Sequence, residues 1–168
     1  NNMELIAQDI KSKTSLNLRF NHSGSKEHLV SITPSAEPAT PNLYISEGWV
    51  DIQVNGFAGF DMNSAEISAS TVSQMVKRLW QEGVTTVFPT VITGPPERMK
   101  KSLAAIAEAV AKDAAIAASV AGIHLEGPYI SPLDGARGAH PLEHVHAPDR
   151  SEFEAFQEAA SGLIKIVT

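Results

Sequence analysis

The spacing of hydrophobic and polar positions changes near residue 46 of this chain. Before that point, short apolar runs are separated by Ser, Asn, Pro and Gly, a pattern typical of β-strands joined by turns. We therefore predict a small β-rich segment over residues 1–45, in which no residue suggests chemistry. The four apolar runs lie at residues 5–10, 16–20, 29–32 and 43–45.

From residue 46 onward, apolar runs typical of buried strands alternate with segments whose apolar residues recur at helical spacing. Because single helices separate successive strands, we expect parallel pairing with right-handed crossovers. Ser151 and Glu154 have the spacing of a capping box, so the third helix is predicted to begin there. The predicted strands are 50–54, 84–88, 120–125 and 163–167, and the predicted helices are 70–82, one that begins near 96 and one that begins near 151.

The repeat length of this pattern indicates a fold class. The first three predicted strands recur about every 35 residues, which is close to one unit of a (β/α)8 barrel of about 250 residues. Residues 46–168 are therefore predicted to form the first four β/α units of a TIM-type barrel, an α/β fold. An open half-sheet would leave an unpaired edge, which natural proteins avoid, so we expect this sequence to be truncated.

Candidate chemistry lies where two of the predicted strands end. Glu126 is fixed at the tip of the third strand, because the Gly-Pro pair that follows it ends a strand. In parallel α/β folds, this carboxyl end of a strand is where functional groups collect. On the first strand, alternation places Asp51, Gln53 and Asn55 on one side, which we expect to face the barrel interior.

Two motifs at these strand ends resemble a known family. The first is GWVDIQVNGFAGFD at residues 48–61, and the second is HLEGPY at residues 124–129. Together they closely resemble the N-acetylglucosamine-6-phosphate deacetylase family of the amidohydrolase superfamily. The resemblance extends over residues 46–168 and includes the GVTT run at 83–86 and the IKIVT run at 164–168.

The resemblance implies a metal-dependent hydrolase that releases acetate from N-acetylglucosamine 6-phosphate in amino-sugar catabolism. A divalent metal lowers the pKa of bound water and polarises a carbonyl group, and it takes carboxylate and imidazole ligands. In the family, the residue that matches Glu126 binds the metal, two histidines from later strands join it, and a later aspartate acts as acid and base. Those three groups are expected beyond Thr168, so this chain supplies one ligand and no catalytic acid–base residue. We expect it to be inactive alone.

Gln53 and Asn55 stand where many amidohydrolases carry a His-x-His pair that holds a second metal. A neutral amide is a poor ligand, so the resemblance implies one divalent ion, zinc or a similar metal, per site. Gln53 and Asn55 then either hold the metal-bound water or form a polar layer with a purely structural role.

Two histidines near Glu126 have different expected roles. The pair that matches Ala139 and His140, on the loop after the third strand, contacts the sugar substrate in the family. His124 is expected to be a packed strand residue, with support of the Glu126 ligand as the sharper alternative.

Composition restricts the possible partners. A net charge of −6 with scattered Lys and Arg residues argues against nucleic-acid binding, and no segment approaches the roughly 20 apolar residues that cross a membrane. The chain has no cysteine, which is compatible with the cytoplasmic location that we expect.

No Walker-type phosphate loop occurs, so groups that bind the phosphate of an amino-sugar substrate are expected outside this sequence or in a partner subunit. The complete enzyme is expected to be a homodimer.

Two other hypotheses remain open from the sequence. One is another amidohydrolase of the same barrel type that acts on a cyclic or simple amide. The other is a non-catalytic, degenerate half-barrel that binds a partner, although the presence of Glu126, Gly127 and His140 argues against it.

Overall fold

The computed structural model describes residues 2–23 and 26–168 of the chain. Contacts between residues divide the chain into two units, Asn1–Glu47 and Gly48–Thr168. Nowhere in the described ranges is a helix long and apolar enough to cross a membrane.

The first unit is one four-stranded sheet. Its strand order is β3-β2-β1-β4, with antiparallel pairs except for the short parallel pair of β1 and β4. Each of the four apolar runs of the sequence overlaps one strand, and Ala7 and Leu18 are buried. The strands are β1 (Asn2–Asp9), β2 (Ser15–Ser23), β3 (Lys26–Pro34) and β4 (Tyr44–Ile45).

The second unit is a mixed α/β structure built on a parallel sheet, in agreement with the predicted fold class at that level. The sheet order is β10-β9-β8-β5, so each strand lies beside the preceding or following strand of the set. The strands are β5 (Trp49–Val54), β8 (Val84–Ile92), β9 (Ile123–Glu126) and β10 (Ile164–Val167). The helices are α1 (Ala69–Gln81), α2 (Pro96–Lys112), α3 (Ala114–Ser119) and α4 (Arg150–Ala159).

One hydrophobic core joins the helices to one face of this sheet. Full burial of each large apolar side chain contributes roughly 1.5–3 kcal/mol of transfer free energy, so this core is the main stabilising feature of the unit. The helices contribute Val72, Met75, Val76, Leu79, Met99, Leu103, Ile106, Ile116 and Phe156, and the strands contribute Val54, Val87, Val91, Ile123, Leu125 and Ile164.

The opposite face of the sheet is polar near the strand ends. Side chains alternate between the faces of a strand, so the burial of Val54 and Leu125 in the core turns Gln53 and Glu126 to the other side. There the side chains of Gln53 and Glu126 meet. This face carries the candidate site.

The second strand of the parallel sheet is longer than predicted. β8 continues past Phe88 to Ile92, although proline in the middle of a strand normally argues against a central position because it cannot donate to the ladder. Pro89 pairs in register with Val54, and the Thr90 hydroxyl accepts the backbone N–H of Val54 at 3.0 Å. A side chain thus replaces a ladder bond that the sheet lacks here.

Two further predictions of secondary structure were wrong in detail, and one short helix was not predicted. The third strand starts at Ile123 rather than 120, and the short helix α3 occupies Ala114–Ser119 before it. The N-cap of α4 is Asp149, whose carboxylate accepts the N–H of Glu152, rather than Ser151. Asp149 and Glu152 have the same spacing as the pair proposed from the sequence, which explains the error.

A small hairpin that the sequence analysis did not predict follows β5. β6 (Gly56–Phe57) and β7 (Phe60–Asp61) are antiparallel and joined by two residues. Both turn residues have positive φ, 52° at Ala58 and 88° at Gly59, as expected for a turn that matches the twist of a hairpin. The Asn55 carbonyl accepts the N–H of Met62 and closes the loop at 2.9 Å.

Candidate active site

Glu126 is the last residue of β9, and its carboxylate is the centre of the candidate site. One oxygen, Oε2, accepts a hydrogen bond from Gln53 Nε2 at 2.8 Å. The other, Oε1, lies 3.7 Å from His140 Nε2. The Glu126 side chain is 19% exposed, so it is reachable from a cavity while most of its surface is covered.

That cavity has a volume of about 140 Å³ and opens at the carboxyl ends of the parallel strands. Four of the residues that the sequence singled out line it together: Asn55, Glu126, Ala139 and His140. Gln53 reaches the same place through its bond to Glu126. The predicted strand-end and loop residues therefore meet at one point of the structure.

Gln53 is held from behind by its own strand. Its backbone N–H donates to Asp51 Oδ1 at 3.0 Å, while its side-chain amide points to Glu126. Because an amide nitrogen can only donate, this contact requires the amide oxygen to face away from Glu126. Gln53 thus orients the carboxylate and leaves its own oxygen free for another contact.

His140 lies on the loop after β9, and its ring is fixed at one end. Nδ1 shares a hydrogen bond of 2.8 Å with the Thr93 hydroxyl. The backbone carbonyl of His140 accepts a bond from Arg137 Nη1 at 2.7 Å. The ring is 17% exposed, and its Nε2 end faces Glu126.

His124 is a buried residue of β9. It is 5% exposed, and its two ring nitrogens bond to the Ile52 carbonyl at 3.0 Å and to the Thr168 hydroxyl at 2.8 Å. These partners use both ring nitrogens. In the described structure, His124 therefore links β9 to β5 and to Thr168, the residue after β10, and its ring does not bond to the Glu126 carboxylate.

Gly127 is required by both conformation and space. Its φ is +85°, which glycine adopts far more easily than other residues. A Cβ atom at this position would lie 1.9 Å from Thr93 Oγ1. The glycine of the HLEGPY motif therefore makes room for a hydroxyl group on the neighbouring strand.

Three residues behind the site were missed by the sequence analysis. Arg98 donates through Nη2 to the carbonyls of Ile92 and Thr93 at 2.8 and 2.9 Å, and through Nη1 to Asn63 Oδ1 at 3.0 Å. Asn63 in turn accepts the N–H of Ile92 at 2.9 Å. Burial lowers the pKa of the half-buried Arg98 guanidinium, and Asp61 opposes that shift.

The polar position of Thr93, directly after an apolar strand, is the signal that could have revealed it. The same rule identified Glu126. Because this strand was predicted to end at residue 88 and in fact ends at Ile92, Thr93 was not considered as a strand-end residue. Arg98 and Asn63 bond mainly to backbone atoms, which leaves no recognisable motif.

A second group of ionisable residues lies apart from Glu126. A cavity of about 190 Å³ is lined by residues that include Glu143, His144, His146 and Glu152. His146 Nε2 lies 3.3 Å from Glu152 Oε2. Burial, followed by the nearby Glu152 charge, raises the pKa of Tyr129, whose hydroxyl donates to the Asp149 carbonyl.

The described residues do not form a complete metal site by themselves. Among them, no three His, Cys, Asp or Glu side chains are grouped closely enough to hold an ion. Glu126 offers a carboxylate of suitable chemistry at the cavity wall, so it fits as one ligand of a site and not as the whole of one.

Comparison with known proteins gives clear relatives. N-acetylglucosamine-6-phosphate deacetylase from Bacillus subtilis (strain 168) is 37% identical over 123 residues, which are 72% of this chain and 30% of that protein. N-acetylgalactosamine-6-phosphate deacetylase from Shewanella sp. (strain ANA-3) is 33% identical over 121 residues, 72% of this chain and 29% of that protein. This chain therefore spans about a third of the length of the curated relatives it matches.

Solved structures agree with the sequence relatives. The crystal structure of N-acetylglucosamine-6-phosphate deacetylase from Pasteurella multocida matches with a TM-score of 0.70 and 27% identity, over 96% of this chain and 42% of that chain. No family model matches the chain.

Proposed function

Because this chain is related to the N-acetylglucosamine-6-phosphate deacetylases over about 70% of its length, we propose that it forms part of a hydrolase that deacetylates N-acetylglucosamine 6-phosphate. Water adds to the acetamide carbonyl, the C–N bond breaks, and the products are glucosamine 6-phosphate and acetate. The observation that carries the proposal is the Gln53–Glu126 pair at the cavity, formed by the two motifs that resemble the family.

We propose that residues 46–168 supply the first four β/α units of a (β/α)8 barrel. The parallel order β10-β9-β8-β5 with intervening helices supports this. So does the exposure of apolar side chains on β5, where Trp49 is 69% and Ile52 is 58% exposed. In a closed barrel, β5 and β10 would each gain a neighbouring strand, which removes the unpaired edges.

The proposed reaction depends on a divalent metal, zinc or a similar ion. Such an ion supplies a water of lowered pKa and polarises the acetamide carbonyl. Glu126 would be one of its ligands, and the remaining ligands and the acid–base aspartate would be supplied by residues outside this sequence. Gln53 holds Oε2 of Glu126 by a hydrogen bond, and this restricts the rotation of the carboxylate.

Ala139 and His140 are proposed to contact the sugar. Both line the cavity that Glu126 borders, and His140 Nε2 faces into it. The sugar phosphate would be bound by groups outside these 168 residues or in a partner subunit of a homodimer, because the cavity lining named above includes no Lys or Arg.

A second substrate has specific support. One relative of similar coverage is named N-acetylgalactosamine-6-phosphate deacetylase. The two sugars differ only in the configuration at C4. A site that recognises the acetamide group would therefore accept either sugar, and a contact with the C4 hydroxyl would determine which one is preferred.

Acetate release tests the proposed function. The assembled enzyme, defined as residues 1–168 joined to the part of the Bacillus subtilis relative that follows the matched region, is incubated with zinc and each sugar phosphate. We expect turnover on N-acetylglucosamine 6-phosphate on the order of 1 per second or faster, weaker turnover on the galactosamine epimer, and none by residues 1–168 alone. A folded assembled enzyme that releases acetate from neither sugar would contradict the proposal.

A further inference from the structure

Thr93 links the two halves of the candidate site, and nothing in the sequence motifs assigns it a role. We infer that Thr93 is a positioning residue, whose hydroxyl sets the orientation of the His140 ring in the cavity. This inference rests on the proposed function for its consequence in catalysis, but its structural part does not.

The hydroxyl of Thr93 has two partners. It lies 2.8 Å from His140 Nδ1 and 3.3 Å from the backbone carbonyl of Glu126. The Thr93 backbone N–H donates to the same Glu126 carbonyl at 2.9 Å. Thr93 therefore bonds the loop that carries His140 to the strand tip that carries Glu126.

The position of this hydroxyl is itself tightly determined. Thr93 is 2% exposed, so its hydroxyl depends on protein partners, and a buried hydroxyl left without a partner would be costly. Arg98 bonds to the Thr93 carbonyl from the helix side. On the other side, Gly127 leaves the space that the hydroxyl needs, since a Cβ there would be 1.9 Å from it.

The consequence for His140 follows from the shape of the ring. With Nδ1 held by Thr93, Nε2 is the end that points to the cavity, where it lies 3.7 Å from Glu126 Oε1. A ring released from Thr93 is free to rotate about its side-chain bonds, and Nε2 is then no longer fixed beside the carboxylate. A contact of His140 with substrate would be weakened without any change in His140 itself.

The test uses chain 1–168 labelled with 15N at histidine, with Thr93→Val, Thr93→Ser and Thr90→Val as variants. Valine keeps the branched shape and removes the hydroxyl, whereas serine keeps the hydroxyl. Thr90 is a matched control, because it is equally buried on β8 but its hydroxyl bonds to Val54 and Phe88. At one fixed pH, we expect Thr93→Val to shift the His140 Nδ1 resonance toward that of a ring without this bond.

Serine at position 93 and valine at position 90 should leave that resonance in place. An unchanged His140 spectrum in Thr93→Val, or an equal shift in Thr90→Val, would overturn the inference. If Thr93→Val does not fold, the spectrum of the unsubstituted chain provides the test. A His140 Nδ1 resonance typical of an imidazole without a hydrogen bond would also overturn the inference.

Kinetics of the assembled enzyme then separate this inference from the proposed function. We expect Thr93→Val to raise KM about tenfold with little change in kcat, and Thr93→Ser to restore KM, as for a lost uniform binding interaction. If neither the parent assembled enzyme nor its variants release acetate, the proposed function is wrong. The histidine spectra would still test whether Thr93 positions the His140 ring. If acetate is released but Thr93→Val leaves KM unchanged, the proposed function stands and the catalytic consequence of Thr93 is wrong.

Discussion

Gln53 Nε2 donates a hydrogen bond of 2.8 Å to Glu126 Oε2, although the two residues are 73 positions apart in sequence. Their strands, β5 and β9, are not neighbours in the sheet, because β8 lies between them. The bond therefore spans a strand across the polar face. It joins the two motifs that carry the resemblance to deacetylases into one group of atoms.

Removal of this bond should weaken the site without unfolding the protein. Gln53 is exposed, so Gln53→Leu deletes the donor at little cost in packing and leaves the Glu126 carboxylate less constrained. Loss of a residue that orients a ligand typically lowers metal affinity or activity about 10–100-fold. We expect a loss of that size in zinc affinity of the assembled enzyme, measured by competition with a chelating dye. Gln74→Leu, at an exposed amide that bonds only to Ser70 on α1, is the control and should leave affinity unchanged.

Arg98 should be a major stabilising residue of the second unit. Its guanidinium donates to Asn63 and to the carbonyls of Ile92 and Thr93. A hydrogen bond to a charged group contributes about 1.5–3 kcal/mol to the free energy of unfolding. Because Arg98 is half-buried, we expect Arg98→Gln to lower the free energy of unfolding by about 2–3 kcal/mol in urea. Lys100→Gln removes only an exposed pair with Glu97 and should cost about 0.5 kcal/mol or less. Equal effects of the two changes would mean that Arg98 does not hold the end of β8.

The hairpin turn offers a stabilising substitution. Ala58 has φ of 52°, where a residue with a Cβ pays about 1 kcal/mol or more and where asparagine is the favoured non-glycine choice. We expect Ala58→Asn to raise the free energy of unfolding by about 0.5–1 kcal/mol. The same change at the exposed helical residue Ala104 should lower it by roughly 0.5 kcal/mol, because asparagine is a poorer helix former. Thermal melts of both variants give the sign of the change in stability. Destabilisation by Ala58→Asn would argue against a turn with positive φ at this residue.

Acid should loosen the start of α4 through Asp149. A hydrogen bond from the Ser151 side chain, followed by one from the Glu152 backbone, lowers the pKa of Asp149 below its ordinary value of 3.8. A carboxyl group with a lowered folded-state pKa stabilises the fold above the unfolded value, and this stability is lost as the pH falls through the folded value. We expect the difference in stability between the parent chain and Asp149→Asn, which keeps a cap without the charge, to disappear as the pH is lowered below 3.8. Chemical denaturation at pH 6 and at acidic pH measures this, and a pH-independent difference would contradict it.

The order of strands and helices in the second unit was predictable from the sequence because apolar residues recur at the spacings that the sheet and helices bury. Two elements were missed, the β6–β7 hairpin and α3. The alanine-rich run of residues 114–119 shows no polar face to distinguish a helix. The strand end at Ile92 was hidden by Pro89, which cannot donate to the ladder. Beside it, the Thr90 hydroxyl accepts the N–H of Val54 in place of a backbone carbonyl. Side chains that substitute for ladder bonds are tertiary features, and no local pattern reports them.

The candidate site was predictable where it depends on strand ends. Glu126, Asn55 and His140 line one cavity, because parallel strands bring their carboxyl ends to one edge. The role of His124 was left between two alternatives, and its bonds to Ile52 and Thr168 are tertiary contacts that no local sequence pattern shows. The support from Arg98 could not be predicted, since its bonds to backbone carbonyls depend on how the chain folds rather than on which residues they join.

The most direct test of the account is the effect of Glu126→Gln on the assembled enzyme, measured as bound zinc per chain and as acetate released from N-acetylglucosamine 6-phosphate. An amide keeps the shape of the side chain but not the charge that a metal ligand supplies. We expect most of the bound zinc and most of the acetate release to be lost, while Glu108→Gln, at an exposed carboxylate on α2 that pairs with Lys112, changes neither. Unchanged zinc content and acetate release in folded Glu126→Gln would show that the catalytic centre does not include Glu126.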